Sequence, residues 1–381
     1  MLTRKQCLWA TAWLGVTLYT VQQILQYGYF WDLAVYEHAV SDLVAGRSPY
    51  QSQSEHLFVY HPMVLHALAA LDSLGGLRLT LCLLYGVVLG LFARQGHTWM
   101  ARDAGWLGLC ALGLGGCGVL AMVTGNLTVY LHLLILTLAL HEAAVDDGRA
   151  KRLLWMVLPV LAVIKPYLLA YLALPWLLQP GWRSLLGGVL SLLCFVGLWM
   201  LGARVWPAEY AQFLANLSVQ TIKNQDLGYA VFGVVRPMVS SNVVAGVLHL
   251  TVSGCVLLCA VWWAPRRWRI EQDLTSRVLL AVPALIMLNP RMKEYDFAVA
   301  LLCAVLWTWR MLFATDRVTV LQVALIIGLM PLLPMALPEL TLHGPASLWS
   351  AKLWQLAAMG WMTGVLVWDR EAAHRSSCSR A

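Results

Sequence analysis

Asp32 and a small set of cations are the residues in this chain best suited to chemistry. Asp32 opens the charged, aromatic-rich stretch WDLAVYEHAVSDLVAGRSPY at residues 31–50, while Lys165, Arg236, Arg291 and Lys293 each stand at a break in, or at the edge of, an apolar run. One carboxylate can take the proton of an attacking hydroxyl, and cations can hold a departing phosphate. Together they suit a single in-line transfer from a phosphate carrier, whereas glycoside hydrolysis needs two carboxylates.

Each of these residues also has a plainer reading. After Trp31, the apolar and aromatic residues Leu33, Tyr36, Val40 and Leu43 recur at helical spacing, so Asp32 stands where an N-cap would be. The helix is expected to lie in the membrane interface and to end near Gly46, with Trp31 and Tyr36 in the aromatic belt. Lys165 sits in AVIKPYLLAY, where Pro166 breaks one hydrophobic segment in two. A cation at that depth costs about 2.5–3.5 kcal/mol on insertion scales, so it should face a polar cavity or an anion. Arg291, Lys293, Glu294 and Asp296 form a second polar break in LNPRMKEYDFAVA, and Arg236 precedes Pro237 at the edge of another span. A phosphate head group would account for these cations; snorkelling and local pairing with Glu294 and Asp296 would account for them as well.

Other polar residues carry less. Glu37, Asp42, Glu55 and Asp226 are rival carboxylates that read as solvated surface groups, and His56, His61 and His66 are spaced so as to scatter around a helix. No metal is expected. Asn126 and Asn216 fall in short matches to the glycosylation sequon, and there is neither a Gly-rich phosphate loop nor a Ser or Cys nucleophile motif.

The elements that must position these groups are membrane helices. Of the 381 residues 60% are hydrophobic and only 12% charged, too little charge to cover the surface of a soluble domain of this size. Apolar spans or half-spans read at about 6–27, 77–95, 104–122, 127–144, 152–164, 167–178, 184–202, 239–263, 275–289, 296–313, 318–337 and 349–368. The fold class is therefore all-α: a polytopic integral membrane protein of about twelve transmembrane helices, forming a single domain over residues 1–381. With Arg4 and Lys5 inside, alternation leaves most of the 26 Lys and Arg in cytoplasmic loops. Both termini are then cytoplasmic, the first span is a retained anchor, and the membrane is the plasma (bacterial inner) membrane. The net charge of +7 marks the cytoplasmic face rather than a nucleic-acid partner. Two long segments, 28–76 and 203–238, are external, so any chemistry faces outward. The nine cysteines lie in apolar runs or near the ends, with no spacing that implies a disulfide framework.

The order of several short motifs resembles the GT-C membrane glycosyltransferases of glycosyltransferase family 87, which includes the polyprenyl-phosphate-mannose-dependent enzymes of the phosphatidylinositol mannoside pathway. The family's Asp-Phe-x-x-Tyr run corresponds to Asp32, Leu33 and Tyr36, its Gly-x-x-Pro-Tyr turn to Gly46, Pro49 and Tyr50, and its Tyr-Pro-Pro element to Tyr60, His61 and Pro62. TGNLTVYLHLLILTLAL, with Asn126, resembles its Gly-Gln-x-Asn segment; IKPYLLAYLALPWLL resembles its Lys-Pro span; NQDLGYAVFGVVRP, with Asn224 and Gln225, resembles its later Asn-Gln element. The order holds from about residue 28 to 300. The chain departs from the pattern at Leu33 and His61, and Tyr295 and Asp296 stand where many relatives place a His near a Ser-Pro start.

The resemblance implies a GT-C-like fold with external interfacial helices and inverting transfer of a sugar, mannose by family weight, from a polyprenyl-phosphate donor to a lipid or glycan acceptor. It implies Asp32 as base, Lys165 with Arg291 or Lys293 on the donor phosphate, and no metal or other cofactor. Arg236 is expected near the same phosphate, and Tyr36, Tyr60, His61, Asn126, Asn224, Gln225, Glu294 and Tyr295 around the substrate cavity. Two other functions fit the same chain. One is a transporter or flippase of a lipid-linked or anionic solute, using the breaks at Lys165 and 289–296 as its pathway; the other is a non-catalytic partner in envelope assembly, with Asp32 only a helix cap.

Overall fold

The computed structural model describes residues 31–51, 58–99, 124–146, 148–223, 230–239, 241–267 and 273–293, together with isolated residues and short pieces between 296 and 307. The expected spans at 6–27, 104–122, 318–337 and 349–368 lie outside the described residues. Among the described residues all regular structure is helical.

Among the described residues four helices are long and apolar enough to cross a bilayer: Leu77–Gln95, Leu127–Val145, Trp182–Val205 and Asn242–Trp263. In chain order the helices used below are α1 (Trp31–Val44), α2 (Pro62–Asp72), α3 (Leu77–Trp99), α4 (Leu127–Val145) and α5 (Arg149–Ile164). They continue with α6 (Ala173–Leu178), α7 (Trp182–Val205), α8 (Pro207–Lys223), α9 (Val231–Val235), α10 (Asn242–Leu258), α11 (Ala264–Arg267) and α12 (Leu274–Ile286).

The centre of the bundle is α4. Its apolar window is 67% buried, against 11% for the window in α7 and 17% for that spanning α10. A helix apolar all round and buried all round belongs in the middle, whereas α7 and α10 turn leucines and valines outward, where lipid would cover them. α3, α5 and α12 pack on α4, and α7 packs on the far side of α5. The α5–α7 contact is close because it uses small residues: a Cβ on Gly187 would fall 2.8 Å from the Trp155 ring, and Ser191 Oγ donates to the Trp155 carbonyl at 2.7 Å. The α4–α5 turn is tied by Glu142, whose buried carboxylate accepts the backbone N–H of Gly148 at 3.0 Å and of Lys151 at 3.1 Å.

The break at Lys165 falls where Pro166 requires it. α5 ends at Ile164, Lys165 is extended, and Pro166–Leu172 forms a 3₁₀ segment that leads into α6. Proline lacks the N–H that would continue the ladder and drives its predecessor out of the helical region.

The two long segments read as external dock on one another. Ser48 Oγ donates to Gln212 Oε1 at 2.5 Å, and Asn216 Nδ2 donates to the carbonyls of Tyr50 and Phe58 at 2.7 and 3.3 Å. His66 Nε2 meets Glu209 Oε2 at 3.0 Å and stacks on Trp206. Helix α8 is therefore seated against α2 and the residues before it, placing Ser48, Tyr50, Phe58 and His66 on the same side of the bundle as residues 206–216.

Candidate functional site

The N-termini of α1 and α4 meet at Asp32. The Thr124 carbonyl accepts the N–H groups of Asp32 and Leu33 at 3.0 and 3.3 Å, joining the first turn of α1 to the residues that lead into α4. Asn126 caps α4 with its Oδ1, which accepts the N–H of Thr128 at 2.9 Å, and its Nδ2 donates to Asp32 Oδ2 at 3.0 Å. One amide thus caps one helix and orients the carboxylate of another. The described α1 begins at Trp31, which puts half-buried Asp32 inside the first turn. The positive ends of two helix dipoles favour negative charge at this point.

One turn further along α1, Tyr36 lies on the same face as Asp32. Its hydroxyl is 2.9 Å from the Tyr60 hydroxyl, with the rings edge to face. Burial, followed by the neighbouring Tyr60 and Asp32, pushes the Tyr36 hydroxyl well above the usual phenol range, which keeps it a neutral hydrogen-bonding group. Tyr60 is fixed in turn by Tyr50, whose hydroxyl donates to the Tyr60 carbonyl at 2.9 Å. Lys165 Nζ stands 4.6 Å from the centroid of the Tyr60 ring, within reach of a cation–π contact. Carboxylate and cation, 133 positions apart in sequence, thus flank one tyrosine pair, Asp32 a turn from Tyr36 on α1 and Lys165 over the ring of Tyr60. On the other flank Tyr85, stacked on Tyr130 at 3.7 Å, donates to the Gly125 carbonyl at 2.8 Å and holds the turn before Asn126.

The rival carboxylates on α1 are engaged elsewhere. Glu37 forms a two-bond pair with Arg78 of α3, at 3.0 and 2.5 Å, and Asp42 accepts from Arg47 at 2.8 Å.

Of the expected site residues, Asp32, Tyr36, Tyr60, Asn126 and Lys165 are brought together. His61 is not among them. Its ring lies 4.5 Å from that of Trp199 and also packs on Tyr210 and Phe213, its Nδ1 accepts the N–H of Met63 to cap α2, and Gly202 presses on it so closely that an added Cβ would come within 2.1 Å of Cε1. Burial holds the His61 imidazole below the usual histidine range. Arg236 is used locally, donating from Nε to Asn242 Oδ1 and from an Nη to the Val239 carbonyl at the start of α10. Asn224, Gln225, Glu294 and Tyr295 lie outside the described residues, as do Glu55, Asp226 and His56.

Arg291 and Lys293 belong to a loop whose backbone is pinned by a second polar cluster, one that the sequence reading did not find. Asp296, fully buried, accepts from His132 Nε2 at 2.9 Å and the Tyr167 hydroxyl at 2.6 Å on Oδ1, and from Asn289 Nδ2 at 3.2 Å and the Lys293 N–H at 2.8 Å on Oδ2. Asn289 Oδ1 accepts the N–H of Arg291 at 3.1 Å, and the Tyr171 hydroxyl is 2.6 Å from His132 Nδ1. Four donors take the roughly four acceptor sites of a carboxylate. A lone His in a leucine-rich span was the available signal, since an ionisable side chain at membrane depth needs a partner.

Among the described residues no group of three His, Cys, Asp or Glu side chains converges as a metal site would require. Both sequon asparagines are already committed, Asn126 to its cap and to Asp32, Asn216 to two carbonyls. Among the described residues all regular structure is helical and four helices are able to span a bilayer, as in a membrane protein, with a polar cluster at the N-terminal end of the central one. Compared with known proteins, it matches no protein-family model, no curated protein and no solved structure.

Proposed function

We propose that the chain is a GT-C-like glycosyltransferase of about twelve spans, with both termini cytoplasmic, that transfers a sugar, mannose by family weight, from a polyprenyl-phosphate donor at the external face of the plasma membrane. The observation that carries this reading is that Asp32, held by Asn126, and Lys165 flank the Tyr36–Tyr60 pair, on the side where the two long segments dock. In the proposed step a hydroxyl of a lipid or glycan acceptor attacks the anomeric carbon of the donor sugar and Asp32 takes its proton. The bond from that carbon to the phosphate oxygen breaks, its electron pair leaves on the polyprenyl phosphate, and the anomeric configuration inverts. Lys165, with Arg291 or Lys293, offsets the charge gathering on the phosphate. Asn126 holds the carboxylate in line, beside the Tyr36–Tyr60 pair.

A transporter or flippase of a lipid-linked anion is the second reading. Its support is the fully buried His132–Asp296 pair, because ionisable pairs inside a bundle mark ion and proton pathways in many membrane proteins. Purified protein incubated with radiolabelled polyprenyl-phosphate mannose and a lipid extract from its host separates the two. A new labelled product is the expected result; unchanged donor there, with donor crossing the bilayer of proteoliposomes, would overturn the transferase reading.

A further inference from the structure

We propose that His132 and Asp296 are positioning residues, a buried clasp that holds the loop carrying Arg291 and Lys293 against the corner carrying Lys165, so that the phosphate-binding cations are set in place before the ligand arrives; this rests on the donor-phosphate reading above. The clasp is built from three separate stretches of chain. His132 comes from the central helix α4, Tyr167 and Tyr171 from the 3₁₀ segment directly after Lys165, and Asn289, Lys293 and Asp296 from the loop after α12. Every bond to the carboxylate bears on a cation's backbone or on the frame beside it. Asp296 takes the N–H of Lys293 directly, holds Asn289, which takes the N–H of Arg291, and receives the hydroxyl of Tyr167, two residues from Lys165. His132 Nε2 meets Asp296 at 2.9 Å while Nδ1 meets the Tyr171 hydroxyl at 2.6 Å, so both ring nitrogens are engaged. A carboxylate with all its acceptor sites filled, 0% exposed, is suited to fixing geometry rather than to meeting a substrate. His132 lies six residues along α4 from Asn126, so one helix carries both the residue that orients the base and the residue that anchors the cation loop.

The test is binding of farnesyl phosphate against farnesol, measured on the full chain in detergent for wild type, Asp296→Asn, Tyr167→Phe, His132→Leu and His132→Gln. Wild type should prefer the phosphate. Asp296→Asn and His132→Leu should lower that preference by about tenfold or more, in the range lost when groups supporting a binding residue are removed, and Tyr167→Phe should lower it less. His132→Gln should restore it, because its amide can donate to Asp296 and accept from Tyr171, bridging the same two partners. A merely structural role would lower thermal stability in all four variants while leaving the preference for phosphate unchanged in those that fold. Should Asp296→Asn and His132→Leu fail to fold, Tyr167→Phe and His132→Gln decide: an undiminished preference in Tyr167→Phe, or one lost in His132→Gln, overturns the clasp. No preference for phosphate in wild type would instead overturn the donor-phosphate reading, and the inference with it.

Discussion

Asn126 donates to Asp32 Oδ2 at 3.0 Å while its own Oδ1 caps α4 through the N–H of Thr128 at 2.9 Å. The two functions can be separated by substitution. Asn126→Ser keeps an oxygen for the cap but loses the amide group that reaches Asp32, so it should melt near wild type while transfer falls, by up to about 100-fold for a misplaced reacting group. Asn126→Ala should lose both, with about 1 kcal/mol less stability from the missing cap. Equal activity in wild type and Asn126→Ser would show that the amide does not orient the base.

Lys165 should act on the donor rather than on the acceptor. Lys165→Met removes the charge above Tyr60 while keeping the length of the side chain. Its donor KM should rise about 10- to 100-fold, the worth of a charge-assisted contact, with acceptor KM unchanged. Steady-state kinetics with each substrate varied in turn makes the comparison.

Gly202 has no room for a side chain, since a Cβ would come within 2.1 Å of His61 Cε1 and the ring is caged by Trp199, Tyr210 and Phe213. Gly202→Ala should therefore destabilise the protein by about 1–3 kcal/mol through overpacking, despite alanine's better helix propensity. The smaller ring-free variant His61→Ala, combined with it, should recover part of the loss. Thermal unfolding in detergent measures both.

His61 also sets a pH dependence. Its folded value is depressed by burial, so its contribution is complete above the unfolded value of about 6.5 and is lost as pH falls through the folded value. Protonation would also remove the Nδ1 acceptor that caps α2. Acidifying from neutral pH should lower the melting temperature of wild type more than that of His61→Asn, which keeps a capping acceptor without titrating. Parallel curves for the two would contradict this.

Several features were legible in the sequence because their causes are local. The break at Lys165–Pro166 follows from proline's missing N–H, and the end of α1 near Gly46, which sits at φ +69°, follows from a glycine placed just past the last turn. The buried face of α1, with Leu33, Tyr36 and Val40, was visible in its spacing. Pairings between distant stretches were not. The Asp32–Asn126 bond joins residues 94 apart and the His132–Asp296 bond residues 164 apart, and neither leaves a local pattern. The resemblance to the Tyr-Pro-Pro element puts His61 beside Tyr60 at the cavity, yet Tyr60 turns toward Lys165 and His61 toward Trp199.

The most direct test of the central claim is transfer from radiolabelled polyprenyl-phosphate mannose to host lipid by wild type, Asp32→Asn and Glu37→Gln. If Asp32 is the base, Asp32→Asn should remain folded and keep its donor affinity while the transfer rate drops about 10²- to 10⁴-fold, and Glu37→Gln, which loses only its pair with Arg78, should stay near wild type. Transfer by Asp32→Asn at the wild-type rate would contradict the account.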